Sequence, residues 1–266
     1  MTNKIIFAGD WHAATQWGLA VIQRAAELGI DTIYHVGDFG YIGSGALVRM
    51  KRLADECVKR GVKIWVTPGN HENWATLDEL FEENPEEPVD ITGDEAIFML
   101  PRGFRWERAG VSFMSLGGAP SIDRNMRTQN IDWWPEEAIE YGEALRAIEG
   151  GPVDVMITHD APTYYPSIVY DIIYKDYAES AAYWGVDVMT YCNEGHQLLN
   201  GVWEAVKPRL LLHGHYHVWD HWTSPEGDQH VIALEMEARR RNAVILDLDE
   251  IREGVVNPIP SGAYIH

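Results

Sequence analysis

The stretch Ile5-Ile6-Phe7-Ala8-Gly9-Asp10-Trp11-His12 runs four apolar residues straight into a glycine, an aspartate and a histidine. A short apolar run of this kind reads as a strand buried on both faces. The pattern returns twice. Thr32–Val36 runs into Gly37-Asp38, and Lys63–Val66 is followed by Pro68-Gly69-Asn70-His71-Glu72. Helical patterns separate these runs: Gln16–Leu28, with Leu19, Ile22 and Ala26 on one face and Gly29 as C-cap, then Ala46–Lys59 ending at Gly61, then Asn73–Glu83. Alternating strands and helices predict parallel βαβ units with right-handed crossovers. The polar residues fall just past the strand ends, the edge at which ligand sites assemble in open α/β sheets.

Two more strands end the same way. Val153–Thr158 runs into His159-Asp160, and Arg209–Leu212 into His213-Gly214-His215-Tyr216-His217. In extended backbone, His215 and His217 would project to the same side. Ala96–Leu100, Phe104–Trp106 and Val111–Leu116 suggest a meander, so the sheet is not purely doubly wound. Asn84–Gly93 reads as a surface loop, Ser121–Trp134 as a polar loop, and Pro135–Ile148 and Gly195–Val206 as helices. Ala161–Cys192 is aromatic and irregular, with short helices, while Val231–Leu234 and Ala243–Leu248 are expected to close the sheet. Without repeats, low-complexity tracts or a linker, residues 1–266 are expected to form a single domain.

The 266 residues are 46% hydrophobic, a globular composition, with 21 Lys and Arg against 41 Asp and Glu for a formal charge of −20. Such a surface repels polyphosphate backbones, which argues against tight nonspecific nucleic-acid binding. A small phosphate ester remains acceptable because bound divalent metals reverse the sign locally. Only Cys57 and Cys192 are present, the first residues leave no room for a signal core, and no apolar run reaches membrane-spanning length. The expectation is a reduced, cytoplasmic protein without a membrane partner.

Collected, the strand-end residues are Asp10, His12, Asp38, Asn70, His71, His159, His215 and His217. Carboxylate, amide-oxygen and imidazole donors suit Mn, Fe, Zn or Ni, and the lack of thiolates argues against a structural zinc site. The donors suffice for two metals if one carboxylate bridges. In their order, Gly9-Asp10-Trp11-His12, Gly37-Asp38, Gly69-Asn70-His71-Glu72, His159 and Gly214-His215-Tyr216-His217 resemble the calcineurin-like metallophosphoesterase superfamily over about residues 5–217.

The resemblance implies a four-layer αββα sandwich, of mixed α/β class, with a dinuclear centre at one edge. Carried over, Asp10, His12 and His217 hold one metal, Asn70, His159 and His215 the other, and Asp38 bridges. His71 takes the place of the family's catalytic histidine. Two divalent ions, Mn foremost, would share a water as hydroxide for attack on the phosphorus of a small phosphomonoester or (cyclic) phosphodiester. The competing classes are a catalytically silent metal-binding scaffold and a nuclease on polymeric nucleic acid.

The chain departs from the family pattern in two places. Ala13-Ala14 follows His12 where glycine is frequent, which touches no ligand. The Asp-Arg pair that follows the bridging aspartate in protein Ser/Thr phosphatases is missing after Asp38, so the orienter of His71 is not legible. Arg102, Arg124, Arg127 and Arg239–Arg241 read first as surface ion pairs, with contact of Arg124 or Arg127 to the substrate phosphate as the sharper alternative. Trp133-Trp134 and the aromatics from Tyr164 to Trp184 are read mainly as packing, with nucleobase stacking as the alternative. His35 reads as structural, and Asp160 as an orienter of His159 or a turn cap.

Overall fold

A computed structural model of the chain describes residues 3–43, 45–163, 165, 167–175 and 177–263. Its strands are β1 Lys4–Ala8, β2 Thr32–His35, β3 Lys63–Val66, β4 Val89–Asp90, β5 Ile97–Met99, β6 Arg105–Arg108, β7 Val111–Leu116, β8 Val155–Thr158, β9 Leu210–His213, β10 Asp220–Thr223, β11 His230–Ala233, β12 Ala243–Asp247 and β13 Ile259–Pro260. Its helices are α1 Thr15–Glu27, α2 Ala46–Arg60, α3 Trp74–Glu83, α4 Tyr141–Glu149, α5 Ile168–Tyr174, α6 Tyr177–Trp184, α7 Val186–Val206 and α8 Leu248–Arg252.

The strands form two mixed sheets, ordered β13-β12-β1-β2-β3-β5-β4 and β10-β11-β9-β8-β7-β6. At the centre of each the pairing is parallel: β1 with β2 and β2 with β3 in the first, β7 with β8 and β8 with β9 in the second. The period-two alternation of a strand explains the layering. Ile5 and Phe7 of β1 join Phe113, Val155, Ile157, Leu210 and Leu212 in a core between the sheets. Ile6 and Ala8 face the other way, onto Val21 and Ile22 of α1 and Met50 and Leu53 of α2. Met114, Met156 and Leu211 face outward onto Ala144 and Ala147 of α4 and Leu199 and Val202 of α7. The layers are therefore helix, sheet, sheet, helix, as the resemblance implied.

Local expectations needed four corrections. The meander is not formed, because β5 pairs parallel with β3 while β6 and β7 make a hairpin in the other sheet. The two closing strands serve different sheets, β11 beside β9 and β12 beside β1. Pro135–Ile148 is not one helix. A 3₁₀ turn at Pro135–Glu137 is followed by extended Ala138, and α4 starts afresh where the Glu140 N–H donates to Glu143 Oε2 at 2.8 Å. The break is set by Glu137, which is fully buried and binds donors from three separate segments. Finally, α7 begins nine residues before Gly195. That glycine lies mid-helix, where a Cβ would stand 2.6 Å from Pro120 Cγ, so it marks close packing rather than a boundary.

Candidate metal centre

The C-terminal ends of β1, β2, β3, β8 and β9 meet, and their loops tie the sheets together. The Trp11 and His12 N–H groups donate to the Asp38 carbonyl, the His215 N–H donates to Asp10 Oδ2 at 3.0 Å, and His159 Nδ1 is 2.8 Å from the Val36 carbonyl. His12, Asp38, His215 and His217 all have left-handed backbone, with φ of 42°, 53°, 68° and 57°. Non-glycine residues held there carry strain that the surrounding structure must impose. The extended backbone expected for His215 and His217 is thus replaced by a tight loop that sends the two rings to different partners. Gly214 permits it, since a Cβ there would run into Asp10 Oδ1.

Donor atoms of Asp10, His12, Asp38 and His217 all lie within 4.8 Å of one another. His217 Nε2 is 3.1 Å from Asp10 Oδ2, and His12 Nε2 is 3.4 Å from Asp38 Oδ2. On the other side of Asp38, its Oδ1 lies 3.3 Å from His159 Nε2, which is 2.9 Å from Asn70 Oδ1. The His215 ring packs against His159 at 5.0 Å between centroids. The two oxygens of Asp38 therefore face two separate donor groups, as a bridging carboxylate would.

The donor chemistry fits cations. His159 Nδ1 gives its proton to the Val36 carbonyl, and Asn70 Nδ2 donates to Ser121 Oγ at 2.9 Å. That leaves Nε2 of the ring, an amide oxygen and a carboxylate oxygen facing one another, donors to a cation once the Nε2 proton is lost. His12 Nδ1 lies 2.9 Å from Glu237 Oε2, which likewise frees its Nε2. Partners of this kind fix the tautomer of a metal-binding imidazole.

Burial alone would raise the Asp38 carboxyl, but His159, His71 and His12 around it hold it well below the usual carboxylate range. Burial pulls His12 down, yet Asp38, Glu237 and Asp10 prevail and lift it to about 9. His159 is lifted to about 10 against its burial, chiefly by Asp38. In the metal-free protein both rings are thus protonated at neutral pH, with protons standing where cations fit. Their raised values mean a stabilisation fully present below about pH 6.5 and lost as pH rises through 9 to 10. Metal loading at pH 7.5 is expected to release about two protons from these rings, read by calorimetry in buffers of differing ionisation enthalpy. Release indistinguishable from zero would contradict this electrostatic picture.

His71 stands beside the donors without being one of the clustered four. Its backbone N–H donates to Asp38 Oδ1 at 2.9 Å, and its ring is half-exposed. The Arg127 guanidinium lies along that ring, 2.8 Å from Nδ1 and 3.1 Å from Nε2. Asp123 holds the guanidinium through contacts at 2.7 and 2.8 Å. Burial pushes the His71 imidazole down, with Arg127 adding to the shift and Asp38 opposing it. The group beside His71 is therefore an arginine from the polar loop. Arg124 is engaged elsewhere, 3.2 Å from Asp187 and stacked on Tyr191.

Supporting residues escaped the sequence reading. Glu72, fully buried, accepts from the N–H groups of Gly69, Asp38 and Gly40 and so joins two donor loops. Glu137 accepts from Ser121, Trp133 and Tyr191 and steadies Asn70 through Ser121. Asn242 binds the indoles of Trp11 and Trp17 and the Asp10 carbonyl. Glu72 lies within Gly69-Asn70-His71-Glu72, whereas Glu137, Glu237 and Asn242 carry no sequence signal.

Other expectations resolve by contact. Asp160 does not orient His159: it accepts from Tyr216 Oη at 2.7 Å and faces His196. His35 is structural, buried between Trp11 and Phe39. Trp134 belongs to the core and Tyr165 packs on Trp203 and Trp222, while Tyr164 and Pro166 lie outside the described residues. Arg102 forms a half-buried pair with Glu143 rather than a fully exposed one. Among the described residues, no helix is long and apolar enough to cross a membrane.

A family model described as calcineurin-like phosphoesterase matches residues 3–219. The fold is similar to that of a protein from Thermus thermophilus, at TM-score 0.55 and 13% identity over 98% of this chain and 100% of that one. It is also similar to a dimetal phosphatase from Danio rerio, at TM-score 0.54 and 8% identity over 91% of each chain. At such identities the likeness is one of fold. No curated protein matches the sequence.

Proposed function

The chain belongs to the calcineurin-like phosphoesterase family, and we propose on that basis that it is a dinuclear metal-dependent hydrolase of small phosphate esters, monoesters or (cyclic) diesters. The observation that carries this reading is the meeting of two donor groups on opposite oxygens of the buried Asp38. Asp10, His12 and His217 would hold one divalent ion, Asn70, His159 and His215 the other, and Asp38 both. Mn is the first candidate among ions that accept such mixed donors. Bound there, the ions supply Lewis acidity, which lowers the pKa of water and neutralises phosphate charge.

The remaining tasks fall to the protein's own side chains. His71, held neutral by its surroundings, offers one ring N–H to a phosphoryl or leaving-group oxygen. Arg127 supplies a permanent positive charge beside it, fixed in direction by Asp123. Glu72 and Glu137 hold the loops through the hydrogen bonds they accept and stay outside the donor set. Because Asp123 already fixes Arg127 against His71, the pair would need little reorganisation during reaction.

The test is a paired assay on metal-stripped protein to which Mn is added back. Hydrolysis of p-nitrophenyl phosphate is compared with its bis ester and with 2′,3′- and 3′,5′-cyclic nucleotides. Turnover of either class that depends on added metal supports the reading. Metal uptake without turnover of any ester would favour the scaffold instead.

A further inference from the structure

Beside the donor cluster lies a cavity of about 250 Å³ that shares His215 with it. Its apolar lining brings together Pro120 and Ile122 from the loop after β7, Ile172 and Ile173 of α5, and Met189 of α7, while Ser180, His196 and Tyr216 supply polar atoms. Among the described residues, no lysine, arginine, aspartate or glutamate lines it. In a chain with 62 charged side chains (21 basic and 41 acidic), an uncharged wall next to a polar centre is a selective feature.

Ile122 and Ile172 line the cavity and are also 36% and 49% exposed, so they form its rim. Nearby turns of the same two segments leave Met126, Ile168 and Tyr170 exposed as well. Apolar side chains at the rim of a cavity that reaches His215 suit an amphiphile, with an anionic head at the donor cluster and an apolar tail against the rim and wall. The volume corresponds to on the order of eight waters at roughly 30 Å³ each. That is room for a short alkyl or single-ring substituent, and too little for an oligomer. A second phosphate or a carboxylate on the substrate would meet no lysine or arginine in this wall.

Resting on the phosphoester-hydrolase reading, we propose that this cavity receives the alcohol arm of the substrate and that this arm is uncharged and apolar. Selectivity would then come from Ile122, Ile172, Ile173 and Met189, while the phosphoryl group is held by the metals, His71 and Arg127. The other charged groups of the site would play no part in reading the arm.

The inference is tested by equilibrium binding, independently of turnover. Methyl-, butyl- and hexylphosphonate share one head group and cannot be hydrolysed as esters, so calorimetry on the Mn-loaded full chain isolates the tail. Affinity is expected to rise along the series by up to about fourfold per buried methylene, giving hexyl at least a tenfold advantage over methyl. Ile172→Asn, a neutral change at a half-exposed rim position, is expected to reduce the hexyl-to-methyl ratio severalfold. Affinity independent of tail length overturns the cavity assignment and leaves the hydrolase reading standing. A tail preference that survives Ile172→Asn and a second change, Met189→Asn, also overturns it. If no phosphonate binds metal-loaded protein, the phosphoester reading falls and this assignment with it.

Discussion

Asp38→Asn is expected to lower metal affinity by at least about 100-fold, more than the 10- to 100-fold typical of residues that only orient ligands, and to abolish detectable ester hydrolysis. The amide is nearly isosteric but carries no charge. Asp38 is also the group that raises His12 and His159, so its loss should flatten the pH dependence of metal-free stability and shrink proton release on loading. Metal content after dialysis, measured by mass spectrometry, is the direct reading; circular dichroism checks that the fold is kept. The fold should survive because the Asp38 backbone carbonyl, which accepts from Trp11 and His12, is unchanged by the substitution. A variant that retains two metals per chain would remove Asp38 from the bridging position.

The residues of this centre were legible because each lies just past a strand that announces itself by a short apolar run. Chemistry placed at an element boundary is easy to read. What the sequence concealed is the conformation that makes the residues converge. Local pattern gave no hint that His12, Asp38, His215 and His217 all take left-handed backbone. Extended geometry, which the spacing of His215 and His217 predicts, would project both rings to the same side. The strained loop separates them, His217 toward Asp10 and His215 toward His159.

The larger errors share one cause, which is that contacts distant in sequence override local periodicity. Pro135–Ile148 has a good helical pattern, yet Glu137 is drawn inward by Ser121, Trp133 and Tyr191 and the helix is interrupted. Gly195 looks like a helix start until Pro120 is seen packed against it. Glu237 and Asn242 flank a run of three arginines that reads as solvent-facing, and the run is indeed exposed. Its neighbours nevertheless reach back to His12 and Asp10 across more than 220 residues. Second-layer residues of this kind follow from tertiary proximity alone, which no spacing rule encodes.

His71 and Arg127 provide the second large effect, and they can be separated. Replacing His71 with asparagine is expected to lower kcat by about 10²- to 10³-fold, the usual cost of losing one preorganised hydrogen-bond donor. Metal content should be unchanged, because the contact of residue 71 with Asp38 runs through its backbone N–H. Arg127→Ala is expected to cost about 10- to 100-fold in kcat/KM, as befits loss of a charged hydrogen bond to an anion. It carries a further signature. The guanidinium depresses the His71 imidazole, so its removal should move the ring's titration, and with it the acidic limb of the pH–rate profile, to higher pH. Arg127→Lys keeps the charge but loses the two-pronged grip of Asp123, so it should hold the limb nearly in place while recovering only part of kcat/KM. If Arg127→Ala lowers activity and leaves the limb where it was, the arginine contacts substrate without tuning His71. If His71→Asn loses metal as well as rate, then the ring itself belongs to the metal site, and the charge beside it must be assigned to another task.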